Sequence, residues 1–208
     1  MRPVDAATMV LWRERRGDVE VLMGRRHRNH VFMPHAWVFP GGRVDRSDSA
    51  LKPLGDLRHD VRARLERAAN PTRARAIAAA GVREVFEETG LLVGEADDDA
   101  PGGFRPKLDG LDYFFRAITP PGRSRRFDAR FLVTEADGSM GEITEGDGEL
   151  LDAAFFPLDD ARNLDIAGIT RIALAEFERW VADPPKPDPD RPVPLSRFLR
   201  GRYYITPE

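Results

Sequence analysis

From Thr72 to Thr89 the chain runs without a proline, is rich in alanine, and stops at Gly90. Alanine is the strongest helix former, and a glycine just past the last turn is the usual stop, so the segment reads as an α-helix. Each helical residue advances about 100°, which puts Glu87 about 60° to one side of Glu84 and Glu88 about 40° to the other. All three carboxylates share one face. Val82, Val85, Phe86, Ala78 and Ala79 project the other way and need a surface to pack on. The chain must therefore provide a sheet beneath this helix and leave its acidic side wet. Like charges at these spacings repel by a few tenths of a kcal/mol per pair, and the helix dipole near a C-terminus adds to the repulsion. A divalent cation offsets this best. With no cysteine in the chain, only oxygen or imidazole ligands are on offer, which favours Mg²⁺ or Mn²⁺.

The rest of the chain supplies strands. Ala6–Trp12 and Val19–Met23 form a hairpin around Gly17, and Ala36–Phe39 is a short strand stopped by Pro40, Gly41 and Gly42. Tyr113–Ile118, Phe127–Thr134 and Leu150–Phe156 are further strands, and Asp165–Asp183 is a closing amphipathic helix. Residues 95–110, with two glycines beside Pro101, read as a loop. The polar stretch 43–71 reads as an insertion with one helical piece at Asp60–Ala69. Residues 184–192 form a Pro-rich linker, and the tail Leu195–Glu208 is expected to dock on the body or on another copy, so a homodimer is among the expectations. No internal repeat is present.

At 208 residues the chain suits one large domain, 1–183, with linker and tail at 184–208. A net charge of −3 gives no global reason to expect nucleic acid or an anionic membrane as partner, although local basic clusters are compatible with it. The first residues are too short an apolar run, and meet charge too soon, for a signal or a membrane span, so the expected location is cytoplasmic.

The string Arg83-Glu84-Val85-Phe86-Glu87-Glu88-Thr89-Gly90-Leu91 resembles the second half of the Nudix hydrolase signature, G-x5-E-x7-R-E-U-x-E-E-x-G-U, at every defined position. The first half is split. Gly42 stands at the opening glycine and Asp48 where the pattern has Glu. Gly42 and Arg83 lie 41 positions apart against 14 in the motif, an insertion at about 46–71. Such an insertion resembles a subgroup that includes coenzyme A diphosphatases, as do Phe39–Asp45 and Arg125–Phe131. The resemblance implies an α/β/α sandwich with a mixed β-sheet, a single domain interrupted inside the Nudix box. It also implies a metal-dependent pyrophosphohydrolase acting on a small nucleoside diphosphate linked to another moiety. Coenzyme A or its acyl derivatives is the first choice. ADP-ribose, dinucleoside polyphosphates and nucleotide sugars are alternatives, as is a module that senses a nucleotide without cleaving it.

By this resemblance Glu84, Glu87 and Glu88 are the metal ligands and Arg83 orients Glu87. One of the three, or an acid of the later loop (Glu142, Glu145, Asp147 or Glu149, the last standing just before a strand), takes the proton from water. Gly41 and Gly42 either end a strand or approach the helix and the phosphates. Asp45 and Asp48 either cap the next turn or reach the metal. Arg25, Arg26, Arg28, Arg123, Arg125 and Arg126 are phosphate-binding candidates, since Arg pairs bidentately with phosphate. Arginine is common here, however, at 29 against three lysines, so a plain surface role stands beside that reading. His27, His30, His35 and His59 show no metal-ligand spacing.

Overall fold

The computed structural model describes residues 2–27, 35–199 and 202–208, so Arg28 and His30 lie outside the described residues. Its centre is a mixed sheet. Strand β1 (Val4–Arg15) turns through Arg16 and Gly17, both at positive φ, into β2 (Asp18–Arg26), the expected hairpin. Two short strands follow, β3 (Trp37–Val38) against β2 and β4 (Gly41–Arg43) against β1. The Pro-Gly-Gly sequence thus turns at Pro40 and resumes as a strand. Later strands are β7 (Asp112–Ile118), β8 (Phe127–Glu135) and β9 (Leu150–Pro157), which pairs β2; β5 and β6 are introduced below. Strands β1 and β8 run parallel over nine residue pairs, while β7 is antiparallel to β8.

Helices cover both faces. On one side lies α2 (Pro71–Thr89), with α1 (His59–Glu66) beside it; on the other lie α3 (Leu158–Asn163) and α4 (Gly168–Ala182). Strand alternation explains the two cores. Met9 and Leu11 pack beneath α2 with Ala78, Val82 and Val85, whereas Val10 meets Phe114, Leu174 and Phe177 on the α4 side. The start of α2 is fixed by Asn70, whose carboxamide accepts from the Arg73 N–H at 2.8 Å, and by Pro71 at its first position. Its end is fixed by Gly90 at φ 75°, whose N–H donates to Phe86 O.

One expectation needs correction. Residues 95–110 contain a small antiparallel hairpin, β5 (Gly94–Ala96) with β6 (Phe104–Pro106), turned through Gly102 and Gly103 at positive φ. The tail forms two strands. Its strand β10 (Pro194–Leu199) lies parallel to β7 through Leu195–Arg116 and Ser196–Ala117, and β11 (Arg202–Pro207) pairs outside it. The tail therefore docks on its own chain and widens the sheet. The inserted helix α1 is locked to it. Arg67 donates to the carbonyls of Pro189 (2.8 Å) and Glu208 (2.8 Å), and the fully buried Arg64 joins Asp60 and Asp112, which also takes Arg191 at 2.9 Å. No helix among the described residues is long and apolar enough to cross a membrane.

Candidate active site

The acidic face of α2 meets the Pro40–Arg43 turn, and glycine makes the approach close. Gly41 N–H donates to Glu88 Oε2 at 2.9 Å. A Cβ on Gly42 would lie 2.4 Å from Glu84 Oε1, and one on Gly41 would lie 2.4 Å from the Ala7 carbonyl. Both glycines thus serve the approach to the helix as well as the turn. Glu88 is almost wholly buried, at 2% exposure. Burial, then the charge of Glu84, pushes its carboxyl well above the ordinary range, although the Gly41 hydrogen bond and the charge of Arg26 pull the other way. Burial likewise raises Glu84, to about 7, against the opposing pull of Arg83 and with added repulsion from Glu87 and Glu149.

Arg83 is the hub of the face. Its Nη1 lies 2.6 Å from Glu87 Oε2 and 2.9 Å from Glu84 Oε1, while its Nε donates to Asp48 Oδ1 at 2.7 Å. Burial alone would depress the guanidinium; the Asp48 hydrogen bond and the charges of Glu84 and Glu87 hold it above its ordinary value. Asp48, 1% exposed, also accepts the Asp45 N–H at 2.7 Å. It therefore anchors Arg83 and caps a turn. The only sequence signal for the anchor was its place six residues after Gly42, because a pairing across 35 positions leaves no local pattern.

A second group of acids arrives from the loop before β9. An α-helix leaves its last carbonyls unsatisfied, and this loop fills two of them: Asp147 N–H donates to Glu87 O at 2.7 Å and Thr144 N–H to Thr89 O at 2.8 Å. Gly146 permits the contact, since a Cβ there would lie 2.5 Å from the carbonyls of Glu87 and Glu88. Asp147 in turn accepts the Glu149 N–H at 2.9 Å, and both side chains sit close enough to act electrostatically, Glu149 on Glu84 and Asp147 on Glu88. The fastening role of Asp147 and Gly146 was not foreseen from sequence.

The basic candidates separate. Arg26 acts on Glu88 and so borders the site. Arg25, its neighbour on the opposite face of β2, is held by Asp152 at 2.6 Å. Arg126 is not brought to the carboxylates. Its backbone carbonyl pairs with Val4 N–H and its Nε with Thr119 O, about 13 Å down β1 from Thr8, the partner of Gly41.

The donor set suits a hard divalent cation: oxygen ligands only, with two carboxylates that burial disfavours as bare anions. Among the described residues no three acidic or histidine side chains are drawn together at metal-ligand spacing, and Arg83 supplies the counter-charge to Glu84 and Glu87.

Comparison with solved structures places the fold. A NUDIX hydrolase from Alicyclobacillus acidocaldarius is 26% identical with a TM-score of 0.63, over 84% of this chain and 90% of that one. The NUDIX domain of Shewanella oneidensis NrtR, solved with ADP ribose, has a TM-score of 0.57 at 12% identity, over 87% and 90%. The Nudix hydrolase RenU from M. smegmatis has 0.52 at 14%, over 89% of each chain. No protein-family model matches the sequence, and no curated protein is significantly similar to it. The chain thus shares the mixed α/β architecture of Nudix hydrolases, and its carboxylate-lined helix forms the candidate active site within it.

Proposed function

We propose that the chain hydrolyses the pyrophosphate linkage of a nucleoside diphosphate joined to another moiety, with Mg²⁺ or Mn²⁺ as cofactor and coenzyme A or acyl-coenzyme A as substrate. One observation carries the reading: Glu84 and Glu88 are buried carboxylates with raised proton affinity, pinned against the Gly41–Gly42 backbone on a helix face that also bears Glu87. An arrangement that disfavours its own anions gains from a bound cation what it lacks alone.

Glu84, Glu87 and Glu88 would hold the metal, which when bound would neutralise charge on the diphosphate oxygens and polarise the attacked phosphoryl group. Arg83 positions the first two by bridging them, and Asp48 keeps Arg83 from swinging away. Gly41 fixes the third through its N–H. Arg26 binds a phosphate oxygen beside Glu88. Glu149 accepts the proton of the attacking water at its carboxylate, held in reach by the loop that Asp147 and Thr144 fasten to the helix end.

The coenzyme A assignment rests on Phe39–Asp45 and on the insertion. The other string, Arg125–Phe131, has structural duties: Asp128 pairs with Arg116 at 2.7 Å, and Arg130 is buried against Asp5. ADP-ribose, dinucleoside polyphosphates and nucleotide sugars are the competing substrates. Turnover of a panel of these compounds with Mg²⁺, wild type against Glu87→Gln and Glu88→Gln, tests the reading. Cleavage of coenzyme A by the wild type and a loss of roughly a hundredfold or more in each variant are expected. Equal rates in all three remove the mechanism, and tight binding of a diphosphate without turnover turns the chain into a sensor.

A further inference from the structure

One end of the sheet carries chemistry that the hydrolase site does not use. The starts of β1 and β8, the connection between β7 and β8, and the β10–β11 hairpin all converge there, because β1 runs parallel to β8 and β10 parallel to β7. Residues 1–4, 113–127 and 191–207 contain no Asp or Glu, and the acids that flank them, Asp5, Asp128 and Glu208, are already taken by Arg73, Arg116 and Arg130. Many arginines among the described residues pair with carboxylates, as Arg64, Arg83 and Arg116 do. Arg2, Arg123, Arg125, Arg197 and Arg202 have no such partner among the described residues, and the Arg197 Nε–H, though buried, has no acceptor there.

Aromatic and apolar side chains are exposed in the same place. Among the described residues six large hydrophobic side chains are exposed, and five of them, Val4, Leu199, Tyr203, Tyr204 and Ile205, lie at this end. The register sorts the hairpin into two faces. Arg197 is paired with Tyr204, and Leu199 with Arg202, so one face presents two guanidinium groups beside an exposed phenol ring. The other face bears Phe198 and Tyr203, with rings 5.1 Å apart.

We propose that this end of the sheet binds single-stranded nucleic acid, with the arginines on phosphates and Tyr204 stacking on a base. Charge complementarity selects the occupant. A second copy of the chain docked by a two-fold axis would set these arginines against themselves, without acids to meet them. Arginines interleaved with exposed tyrosines on a strand face are instead the combination that single strands use, phosphate contact for affinity and π-stacking without sequence preference. The overall charge of −3 averages over the whole chain and so conceals this patch. The inference is independent of the hydrolase reading.

Fluorescence anisotropy with labelled U20 RNA and dT20 DNA, in EDTA so that no hydrolysis intervenes, tests it. Binding with a micromolar Kd is expected at about 50 mM salt, weakening steeply as salt rises. Removing two phosphate contacts in Arg197→Ala/Arg202→Ala should lower the salt slope by about 1.4. Tyr204→Ala should weaken binding about tenfold at unchanged slope. The pair Arg123→Gln/Arg125→Gln, outside the hairpin, should lower the slope in the same way even if the hairpin variants fold poorly. Diphosphate hydrolysis should be unchanged in the hairpin variants that fold. Absence of binding at low salt, unchanged slopes in both arginine pairs, binding to phosphatidylserine vesicles but not to oligonucleotides, or a dimer that buries the hairpin would each overturn the proposal.

Discussion

Raising the pH of the metal-free protein from about 5 to about 8 should destabilise it, and Glu84 sets the scale. Its carboxyl titrates near 7 in the folded chain against an ordinary 4.5. At about 1.36 kcal/mol per pH unit, the difference is worth about 3 kcal/mol. The side chain is 13% exposed, so solvent screening removes little of this. The sign follows from the direction of the shift. A raised folded-state value means that the folded chain holds its proton longer, so the favourable contribution is whole below about 4.5 and is gone once the pH passes about 7. Glu88 acts in the same direction. Asp5, Asp60 and Asp112, depressed despite burial by their arginine partners, contribute the opposite slope, but below about pH 4, so the two windows separate. Thermal unfolding in EDTA should therefore show the melting temperature falling by about 6–12 °C between pH 5 and pH 8, at about 2–4 °C per kcal/mol for a chain of this size. Glu84→Gln should flatten much of that slope and be more stable than wild type at pH 8. Saturating Mg²⁺ or Mn²⁺ should restore the wild type, more so at pH 8 than at pH 5.5, where the ligands' protons compete. A metal-free stability that is flat or rising across this window, or a Glu84→Gln slope equal to that of wild type, refutes the argument that these buried carboxylates are held at a cost.

Glu149→Gln should lower kcat by about 10²–10⁴ with little change in metal binding, measured by turnover beside Mn²⁺ titration; an unaltered kcat excludes it as the base. The two glycines should part company. Gly42→Ala meets only the mobile end of Glu84 and should reduce activity more than stability, whereas Gly41→Ala collides with the β1 backbone and should cost several kcal/mol in urea unfolding. Arg64→Met removes the cation from between Asp60 and Asp112 and should destabilise the fold by about 3–5 kcal/mol by the same assay, with kcat and KM of the surviving folded fraction unchanged.

The parts of the fold that the sequence disclosed are those with local causes. The end of α2 follows from Gly90, and the shared face of Glu84, Glu87 and Glu88 follows from helical pitch alone. The β1–β2 hairpin announced itself through Gly17 between two apolar runs. What escaped depends on partners far along the chain. The small β5–β6 hairpin looked like a loop because its strands are three residues each, and the tail's docking is decided by Arg116, Tyr113 and Arg67 meeting Glu208 across some 90–140 positions. The same holds at the site. Asp147 and Thr144 find the end of α2 through backbone groups that any residue could offer, so no side-chain pattern marks them.

Asp48 stands at the entrance of the inserted segment, and everything between Leu51 and Asn70 comes after it. The detour can therefore be remodelled from its far side without loosening the grip on Arg83. That stretch answers instead to β7 through Arg64 and to the tail through Arg67. Lengthening a loop at this point leaves the chemistry's frame in place, which is how a fold can acquire new surroundings while keeping an old reaction.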